Sequence, residues 1–203
     1  MFPLGSVLLP GEILPLHVFE PRYRQMVIDL LADDVDEPEF GVALIQRGHE
    51  VGGGDERSDL ATVARIINIE AFDEHRYGVV ALGTRRIRVL AWLPDDPYPL
   101  ADTEDDVDPP PDDVGRFHVH LAATESRVRQ VHSMAVELGD LPAGLELEIS
   151  DDPVLATYQL ISFVPFGPAD RYRLLAASDP WNRLEVFDAA LDDLEATLKF
   201  RSA

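Results

Sequence analysis

Few side chains in this sequence have the type and spacing that catalysis or metal binding requires. His118 and His120 lie two positions apart. On a helix they would point in different directions, and only a strand would aim both at one metal ion. His17 has apolar neighbours, where a hydrogen-bonded histidine is more common than a catalytic one. We therefore interpret these three histidines as packing or surface residues, and we predict no catalytic residue, no metal site and no cofactor.

Two patterns that could indicate nucleotide or peptide chemistry are incomplete. Gly52, Gly53 and Gly54 could form a phosphate loop, but no Lys or Ser/Thr follows at the required place and acidic residues flank the run. We interpret this run as a hairpin tip, and the motif G-x-x-x-x-G-K-[ST] does not occur in the sequence. The only lysine, Lys199, lies near the end of a predicted helix, where its charge complements the helix dipole. Because a lysine base must be desolvated in a formed site, we predict that the protein is not an enzyme.

Composition excludes several further classes of protein. The formal charge of −21, from 38 acidic and 17 basic residues, disfavours nucleic acid because such a field repels phosphate backbones. The absence of cysteine excludes disulfides, a thiol nucleophile and thiolate zinc sites. No apolar stretch reaches the length of about eighteen residues that a membrane span needs, and the start of the sequence lacks the basic segment of a secretory signal. We expect a cytoplasmic protein that binds neither nucleic acid nor membrane.

The N-terminal half has the pattern of a small β structure with one helix. Apolar runs at 7–9 and 13–16 flank the turn dipeptide Pro10-Gly11 and predict a hairpin or bent strand. After Glu20-Pro21, apolar residues recur at helical spacing and predict a helix near residues 21 to 32. Short β-type runs punctuated by Gly and Pro then predict strands at 42–46, 62–72, 77–84 and 86–93.

The C-terminal half has a helical pattern. From residue 112 on, apolar residues recur at the spacing of one helix face and predict a long helix that stops near Gly139. Three more helices are predicted where a capping residue precedes a proline, at Asp152-Pro153, Gly167-Pro168 and Asp179-Pro180. Residues 94 to 113, rich in prolines and acids, predict an exposed connection because they can bury little apolar surface. We therefore expect two domains, residues 1–110 and 111–203.

Four stretches, in order along the chain, carry a resemblance to a known family. Residues 1–30 read MFPLGSVLLPGEILPLHVFEPRYRQMVIDL, and they are followed by FGVALI at 40–45, LATVARI at 60–66 and LGTRRIRV at 82–89. Together they resemble the N-terminal, substrate-binding domain of Lon proteases. Ala61 stands where that family usually has glycine, the residue that best tolerates a close backbone approach or a bulge. The resemblance implies an α+β fold, with a PUA-like β-barrel or sandwich followed by a C-terminal helical bundle.

The resemblance also implies a function. We expect a non-enzymatic domain that recognises unfolded or apolar polypeptide, with delivery of clients to a separate protease or chaperone as one role. Such recognition needs an accessible apolar surface. We expect this surface where the two halves meet, at the candidate binding residues Phe19, Tyr23, Phe163, Val164 and Phe166. The competing interpretation is that these residues are interdomain core.

A PUA-like fold is also compatible with a second class of function, the binding of a small molecule or of nucleic acid. A hydrolase of unrecognised type is a third class. The shape of the cleft distinguishes them: a long apolar groove favours polypeptide, whereas a deep pocket with a few convergent polar groups favours a metabolite.

Overall fold

The computed structural model describes residues 1–32, 37–48, 54–73, 76–144 and 147–202. The chain divides into two compact units, Met1–Val107 and Asp108–Ala203. In the described residues the first unit is a β-sheet with one helix and the second is helical. The predicted α+β architecture, with a β-rich part followed by a helical part, is confirmed.

The first unit is built on one sheet. Its elements are β1 (Phe2–Leu4), β2 (Ile13–Val18), α1 (Pro21–Ala32), β3 (Glu39–Arg47), β4 (Glu56–Asp73), β5 (Arg76–Leu93) and β6 (Leu100–Asp105). The strand order is β1-β3-β4-β5-β2, and β6 also pairs with β5. Only the pairing of β1 with β3 is parallel among these strands. The first part of β5 pairs with β2 and its last part pairs with β6, so the two short strands follow one another along the same long strand.

Helix α1 covers the core of the first unit and occupies the predicted range. Pro21 begins the helix, where its missing N–H costs nothing, and Tyr23, Met26 and Val27 are buried at helical spacing. These three side chains pack into a core cluster with residues from five strands, among them Phe2, Leu4, Val18, Phe40, Val42, Ala64, Val79 and Ala81. The apolar face of α1 therefore packs the helix against the sheet.

The hairpin predicted around Pro10-Gly11 is wrong. Residues 7–9 form no strand, and β2 pairs with β5 rather than with the preceding segment. Gly11 has φ +87°, and its N–H donates to the carbonyl of Gly83 over 2.8 Å. Val7, Leu8 and Leu9 are instead buried in irregular backbone. The two apolar runs suggested that 7–9 and 13–16 pair with each other. Instead all six residues of β2 pair with β5.

The acidic segment 94–113, predicted to be an exposed connection, is partly ordered. It contains strand β6, whose backbone pairs with β5 while its side chains at 102–105 stay exposed. Asp106 accepts from Arg88 over 3.0 Å, and Arg85 donates to Asp105 over 2.9 Å. Composition concealed this pairing because the partners of the acids are arginines that lie about twenty residues earlier on β5.

The second unit consists of helices α2 (Val114–Glu137), α3 (Pro153–Ser162), α4 (Pro168–Leu175) and α5 (Pro180–Ser202). The described residues of this unit contain no strand, so the predicted helices after residue 112 are confirmed. Asp113 and Asp152 cap α2 and α3 by accepting from the backbone N–H groups of Arg116 and Leu155. Among the described residues, no helix combines the length and apolar character that crossing a bilayer requires.

The described part of the second unit contains a buried charged pair, Arg183 and Asp108. Arg183 is fully buried and donates through Nη2 to both carboxylate oxygens of Asp108, over 2.9 and 2.8 Å. Its Nε donates to the carbonyl of Leu174 over 3.1 Å, and its Nη1 donates to the hydroxyl of Thr157 over 3.1 Å. The guanidinium carbon lies 4.0 Å from the centre of the Tyr158 ring. These contacts replace the water that a buried guanidinium loses.

Candidate functional site

Two of the predicted binding residues lie beside a pocket of the first unit. The pocket has a volume of about 200 Å³ and lies next to the end of β2. We call it the edge pocket; its lining residues are Phe2, Leu4, Leu16, His17, Val18, Phe19, Glu20 and Tyr23. Phe19 follows β2 directly and is 57% exposed, whereas Tyr23 on α1 is only 3% exposed. The pocket therefore has one accessible aromatic wall, Phe19, and one buried aromatic wall, Tyr23.

Local sequence explains how each wall is formed. The alternation in β2 points Leu14, Leu16 and Val18 inward and leaves Ile13, Pro15 and His17 exposed. Tyr23, three positions into α1, stacks on Phe2 of β1 with ring centres 4.1 Å apart and planes inclined by 18°. Burial raises the pKa of the Tyr23 phenol to about 12, against the opposing effect of Arg22. The phenol therefore stays uncharged even above the usual tyrosine pKa of about 10.

A charged pair stands at the rim of the edge pocket. Arg22 donates through Nε to Glu20 over 3.1 Å, and its guanidinium carbon lies 4.5 Å from the centre of the Tyr23 ring. The pair brackets Pro21 at the start of α1, as expected for residues that hold the entry of the chain into the helix.

The exposed face of β2 continues onto two neighbouring strands. Register places Ile13 opposite Leu82, Pro15 opposite Val80 and His17 opposite Gly78, so these pairs share a face. The ring of Phe72 from β4 covers Gly78, where an added Cβ would lie 2.9 Å from the ring. The Phe72 and His17 rings have their centres 5.8 Å apart. We call this surface the β2 face and define it by Ile13, Pro15, His17, Phe72, Val80 and Leu82.

Sequence reasoning missed two exposed residues of the β2 face. Ile13 is 56% exposed and Phe72 is 51% exposed. Ile13 belonged to an apolar run that we assigned to a hairpin, and Phe72 ended a predicted strand. An available signal was the proline in the middle of the run 13–16, because proline within a strand indicates an edge position with one free side.

The other predicted residues lie in the second unit between α3 and α4. Val164 is 3% exposed, and the Phe163 ring is half-buried with its centre 4.9 Å from the centre of the His132 ring. His132 Nδ1 and the carbonyl oxygen of Phe163 are 2.9 Å apart. Phe166 packs edge-on against Phe187, with ring centres 5.7 Å apart. Of this group, Phe166 lines a surface pocket of about 210 Å³ with Pro165, Gly167, Asp170, Arg173, Ala190, Asp193, Leu194 and Thr197.

The histidines and the lysine considered as catalytic candidates have structural or surface positions. His120 Nε2 lies 2.6 Å from Oδ2 of Asp188, whose other oxygen accepts from Thr124 and Arg127, and His118 is exposed. Lys199 donates to Glu195 on the surface of α5 over 2.5 Å. Within the described ranges no group of three His, Cys, Asp or Glu residues could hold a metal ion. Gly52 and Gly53 lie outside the described residues.

Two larger pockets are open and have few polar groups that converge. One, of about 370 Å³, lies in the first unit between α1, β3 and β6, with Arg85 at its rim bound to Glu39 and Asp105. The other, of about 380 Å³, lies in the second unit between Pro109, Pro110, Pro111 and Trp181. Its carboxylates Asp113 and Asp179 already accept from helix N–H groups. Neither pocket has the arrangement expected for a metabolite site.

A comparison with protein families decides the relationship of the chain. The model of the ATP-dependent protease La (LON) substrate-binding domain matches residues 1–187. The chain belongs to this family. The family resemblance that the four sequence stretches indicated is confirmed, and the family description assigns the matched region to substrate binding rather than to catalysis.

Two solved structures have the same fold as this Lon substrate-binding domain. The Lon N-terminal domain protein from Xanthomonas campestris is 26% identical, with a TM-score of 0.62 and with 93% of this chain and 95% of that chain covered. The N-terminal domain of Mycobacterium avium complex Lon protease is 16% identical, with a TM-score of 0.59 and 96% of each chain covered. At that lower identity the second likeness concerns the fold alone.

Curated relatives are much longer than the region they share with this domain. Lon protease 2 of Myxococcus xanthus is 32% identical over 142 residues, which are 68% of this chain and 16% of that protein. The Lon protease of Anaeromyxobacter dehalogenans is 36% identical over 96 residues, which are 46% of this chain and 11% of that protein. The chain thus spans a small fraction of the length of these relatives.

Proposed function

We propose that this Lon substrate-binding domain recognises unfolded or apolar polypeptide and catalyses no reaction itself. The observation that carries the proposal is the apolar surface around β2, where Ile13, Phe19 and Phe72 are each more than half exposed. Register groups Ile13 with Pro15, Val80 and Leu82 on one face, and the Phe72 ring covers Gly78 on the same face. Exposed apolar residues grouped in this way are typical of an interaction site, whereas isolated ones are common on any protein. The edge pocket opens beside this patch.

The size and chemistry of the edge pocket suit an apolar side chain. A cavity of about 150 Å³ lined by apolar residues accommodates benzene, and the edge pocket has about 200 Å³. Most of its lining residues are aliphatic or aromatic, with His17 and Glu20 as the polar exceptions, and Tyr23 contributes a buried ring. One leucine or phenylalanine of a bound chain would fill such a pocket. Tyr23 would act by shaping the wall and Phe19 by closing over the side chain.

We include Phe163, Val164 and Phe166 in the proposed site as a second apolar surface in the helical unit. Phe166 is the residue of this group that lines a pocket, which is also lined by Asp193 and by Asp170 paired with Arg173 over 3.4 Å. Val164 is buried and would support the surface rather than contact the ligand.

The charge of the domain should select among polypeptides. A formal charge of −21 attracts basic segments and repels acidic ones, and the attraction weakens as salt screens it. An isolated domain lacks the multiple copies that raise effective concentration in an assembly, so we expect an affinity on the order of micromolar or weaker. The preferred ligand is therefore an apolar segment with interspersed basic residues.

We propose delivery of bound polypeptide to a separate protease or chaperone in the cytoplasm as the role of this binding. Two findings support a non-enzymatic role: the family match is to the substrate-binding domain, and the sequence contains no G-x-x-x-x-G-K-[ST] motif. The proposal needs no cofactor.

The test is the titration of fluorescein-labelled unfolded peptides, followed by anisotropy, against three variants. Phe19→Ser removes an aromatic ring that is 57% exposed, so about half of its burial energy is still to be gained on binding. That fraction corresponds to about 1 kcal/mol, and we expect roughly fivefold weaker binding. Phe166→Ser reports on the second surface, and its folding must be checked because Phe166 packs on Phe187.

The matched control is Phe200→Ser, because Phe200 is an equally large side chain that is 84% exposed on α5. It should leave the affinity unchanged. Equal affinities of the wild type, Phe19→Ser and Phe200→Ser would show that the surface around β2 does not bind the peptide. Equal weakening by Phe19→Ser and Phe200→Ser would indicate non-specific adhesion.

A further inference from the structure

Strand β2 is an edge strand in which Pro15 is the only residue of a protecting type. It is the last strand in the order β1-β3-β4-β5-β2, and no other strand of the described residues pairs with its second side. Edge strands are usually protected from further pairing by charged side chains, by proline or by coverage. The sequence of β2, ILPLHV, contains no acidic, lysine or arginine residue. By contrast, β6 has Asp102, Glu104 and Asp105 in six residues.

The hydrogen-bond phase of β2 identifies which backbone groups face outward. Gly83 N–H donates to the carbonyl of Glu12 over 2.8 Å, which places the groups of residue 12 toward β5. Since direction alternates along an antiparallel strand, residues 14, 16 and 18 also bond to β5, while Ile13, Pro15 and His17 point their groups away. Pro15, which has no N–H, fits an outward position.

These outward groups have no hydrogen-bond partner among the residues that the structure describes. The N–H groups of Ile13 and His17 and the carbonyls of Ile13, Pro15 and His17 have no partner in the part of the chain that the structure describes. The three residues that carry these groups are exposed. The outer edge of β2 therefore offers two donors and three acceptors at strand spacing.

The inward side chains of β2 connect this edge to the edge pocket. Leu16 and Val18 line the pocket from β2, while Phe2 and Leu4 line it from β1. A strand added beside β2 would place alternate side chains on the same side as Leu14 and Leu16, toward the pocket. Its intervening side chains would lie beside His17 and Pro15 on the β2 face.

We propose that polypeptide binds this domain by adding an antiparallel strand to the outer edge of β2, with its alternate apolar side chains directed to the edge pocket. This inference rests on the proposed function and specifies its mode. The occupant is an extended segment whose side chains toward the edge pocket are apolar. Its intervening side chains are lysine or threonine, whose aliphatic parts lie along the apolar β2 face while their polar ends reach water. Charge supports the basic positions, because Glu70 lies in the same cross-strand row as His17 and Gly78 and Glu12 directly precedes β2.

The mode is tested with three synthetic twelve-residue peptides of one sequence, which alternates leucine with lysine or threonine. One peptide is unmodified, the second is N-methylated at its leucines, and the third is N-methylated at the intervening residues. In an antiparallel added strand, residues opposite Ile13, Pro15 and His17 exchange hydrogen bonds with β2, and these are the intervening residues. We expect the third peptide to bind at least tenfold more weakly than the first and the second to bind like the first.

Two protein variants test the same hydrogen bonds from the side of β2. His17→Ala removes the imidazole and keeps the N–H, whereas His17→Pro also removes the outward N–H. Neither N–H nor carbonyl of His17 faces β5, so the ladder to β5 is retained in both variants, and circular dichroism checks their folding. We expect His17→Pro to bind the unmodified peptide several-fold more weakly than His17→Ala. Hydrogen exchange of the Ile13 and His17 amides should slow when the peptide is added.

The outcomes separate this proposal from the proposed function. If all three peptides bind equally, or both methylated peptides lose binding, while Phe19→Ser still weakens binding of the unmodified peptide, the domain binds polypeptide by side chains and strand addition is wrong. Unchanged exchange of the Ile13 and His17 amides at saturating peptide would overturn it as well. If the unmodified peptide fails to bind at all, both proposals fall.

Discussion

The substitution Asp108→Ala should destabilise the helical unit strongly. It removes the carboxylate that accepts both hydrogen bonds from Nη2 of Arg183, over 2.9 and 2.8 Å. Arg183 is fully buried and the side chain of Asp108 is 3% exposed, so water cannot take the place of the carboxylate. Removing one partner of such a buried pair costs about 3–5 kcal/mol because the other charge stays buried without compensation.

The remaining contacts of Arg183 indicate the lower end of that range. Nε keeps the carbonyl of Leu174, Nη1 keeps the hydroxyl of Thr157, and the Tyr158 ring still faces the guanidinium. We therefore expect a loss of about 3 kcal/mol in the free energy of unfolding. With a urea dependence of about 2 kcal/mol per molar, the midpoint should fall by about 1.5 M.

The assay is urea unfolding followed by the fluorescence of Trp181, in a Trp92→Phe background so that only the helical unit contributes. The control is Asp192→Ala, which breaks the ion pair of Asp192 with Arg127. The Asp192 side chain is 72% exposed, so this substitution should lower the free energy of unfolding by less than about 1 kcal/mol. The double variant Asp108→Leu with Arg183→Met should recover most of the stability, because it removes both charges together. A loss below about 1 kcal/mol for Asp108→Ala would refute this account of the buried pair.

Two pH-dependent predictions follow from ionisable groups of the first unit. Burial alone would raise the pKa of Asp55, but hydrogen bonds from Arg57 and the backbone outweigh it and hold this pKa below its usual value. The stability that Asp55 contributes is therefore complete above the unfolded pKa of about 4 and is lost as pH falls through the lower folded pKa. The test is to measure the free energy of unfolding as the pH is lowered. Asp55→Asn should be less stable than the wild type at pH 7, and its free energy of unfolding should fall less steeply below about pH 4. Equal dependence on pH in the variant and the wild type would contradict this. For Tyr23, burial raises the pKa to about 12, so its contribution is present below the unfolded pKa of about 10 and disappears as pH rises through 12. Absorbance titration of the phenolates should show that Tyr23→Phe removes a step near pH 12, and removal of a step near pH 10 would contradict the buried placement.

The helices were predictable from sequence because their signals are local. Pro21 begins α1, Asp152 precedes Pro153 at the start of α3, and Gly139 follows the end of α2 with φ +78°. Each signal lies within a few residues of the structure it determines. The family resemblance rests on a similar basis, since the order of short motifs along the chain is a property of the sequence.

The candidate binding residues were predictable by type and less so by accessibility. Aromatic and apolar identity selected Phe19 and Phe166, which line pockets, together with Tyr23 and Val164, whose side chains are buried. Burial depends on which distant residue covers a side chain, as Phe2 covers Tyr23. Whether the two groups form one groove stays a prediction.

The sequence by itself determined the helical starts and stops, the absence of a nucleotide loop and the net charge, because each is a matter of neighbouring residues or of a sum over residues. Tertiary structure alone decided the partner of β2, the pairing of β6 and the ion pair of Asp108 with Arg183, which lie 75 positions apart. Strand pairing and buried charge depend on contacts between distant segments. The acidic segment 94–113 forms strand β6 because β5 provides both the backbone hydrogen bonds and the arginines that pair with its carboxylates. The free edge of β2 has the same origin, since an edge exists only with respect to the strands beside it.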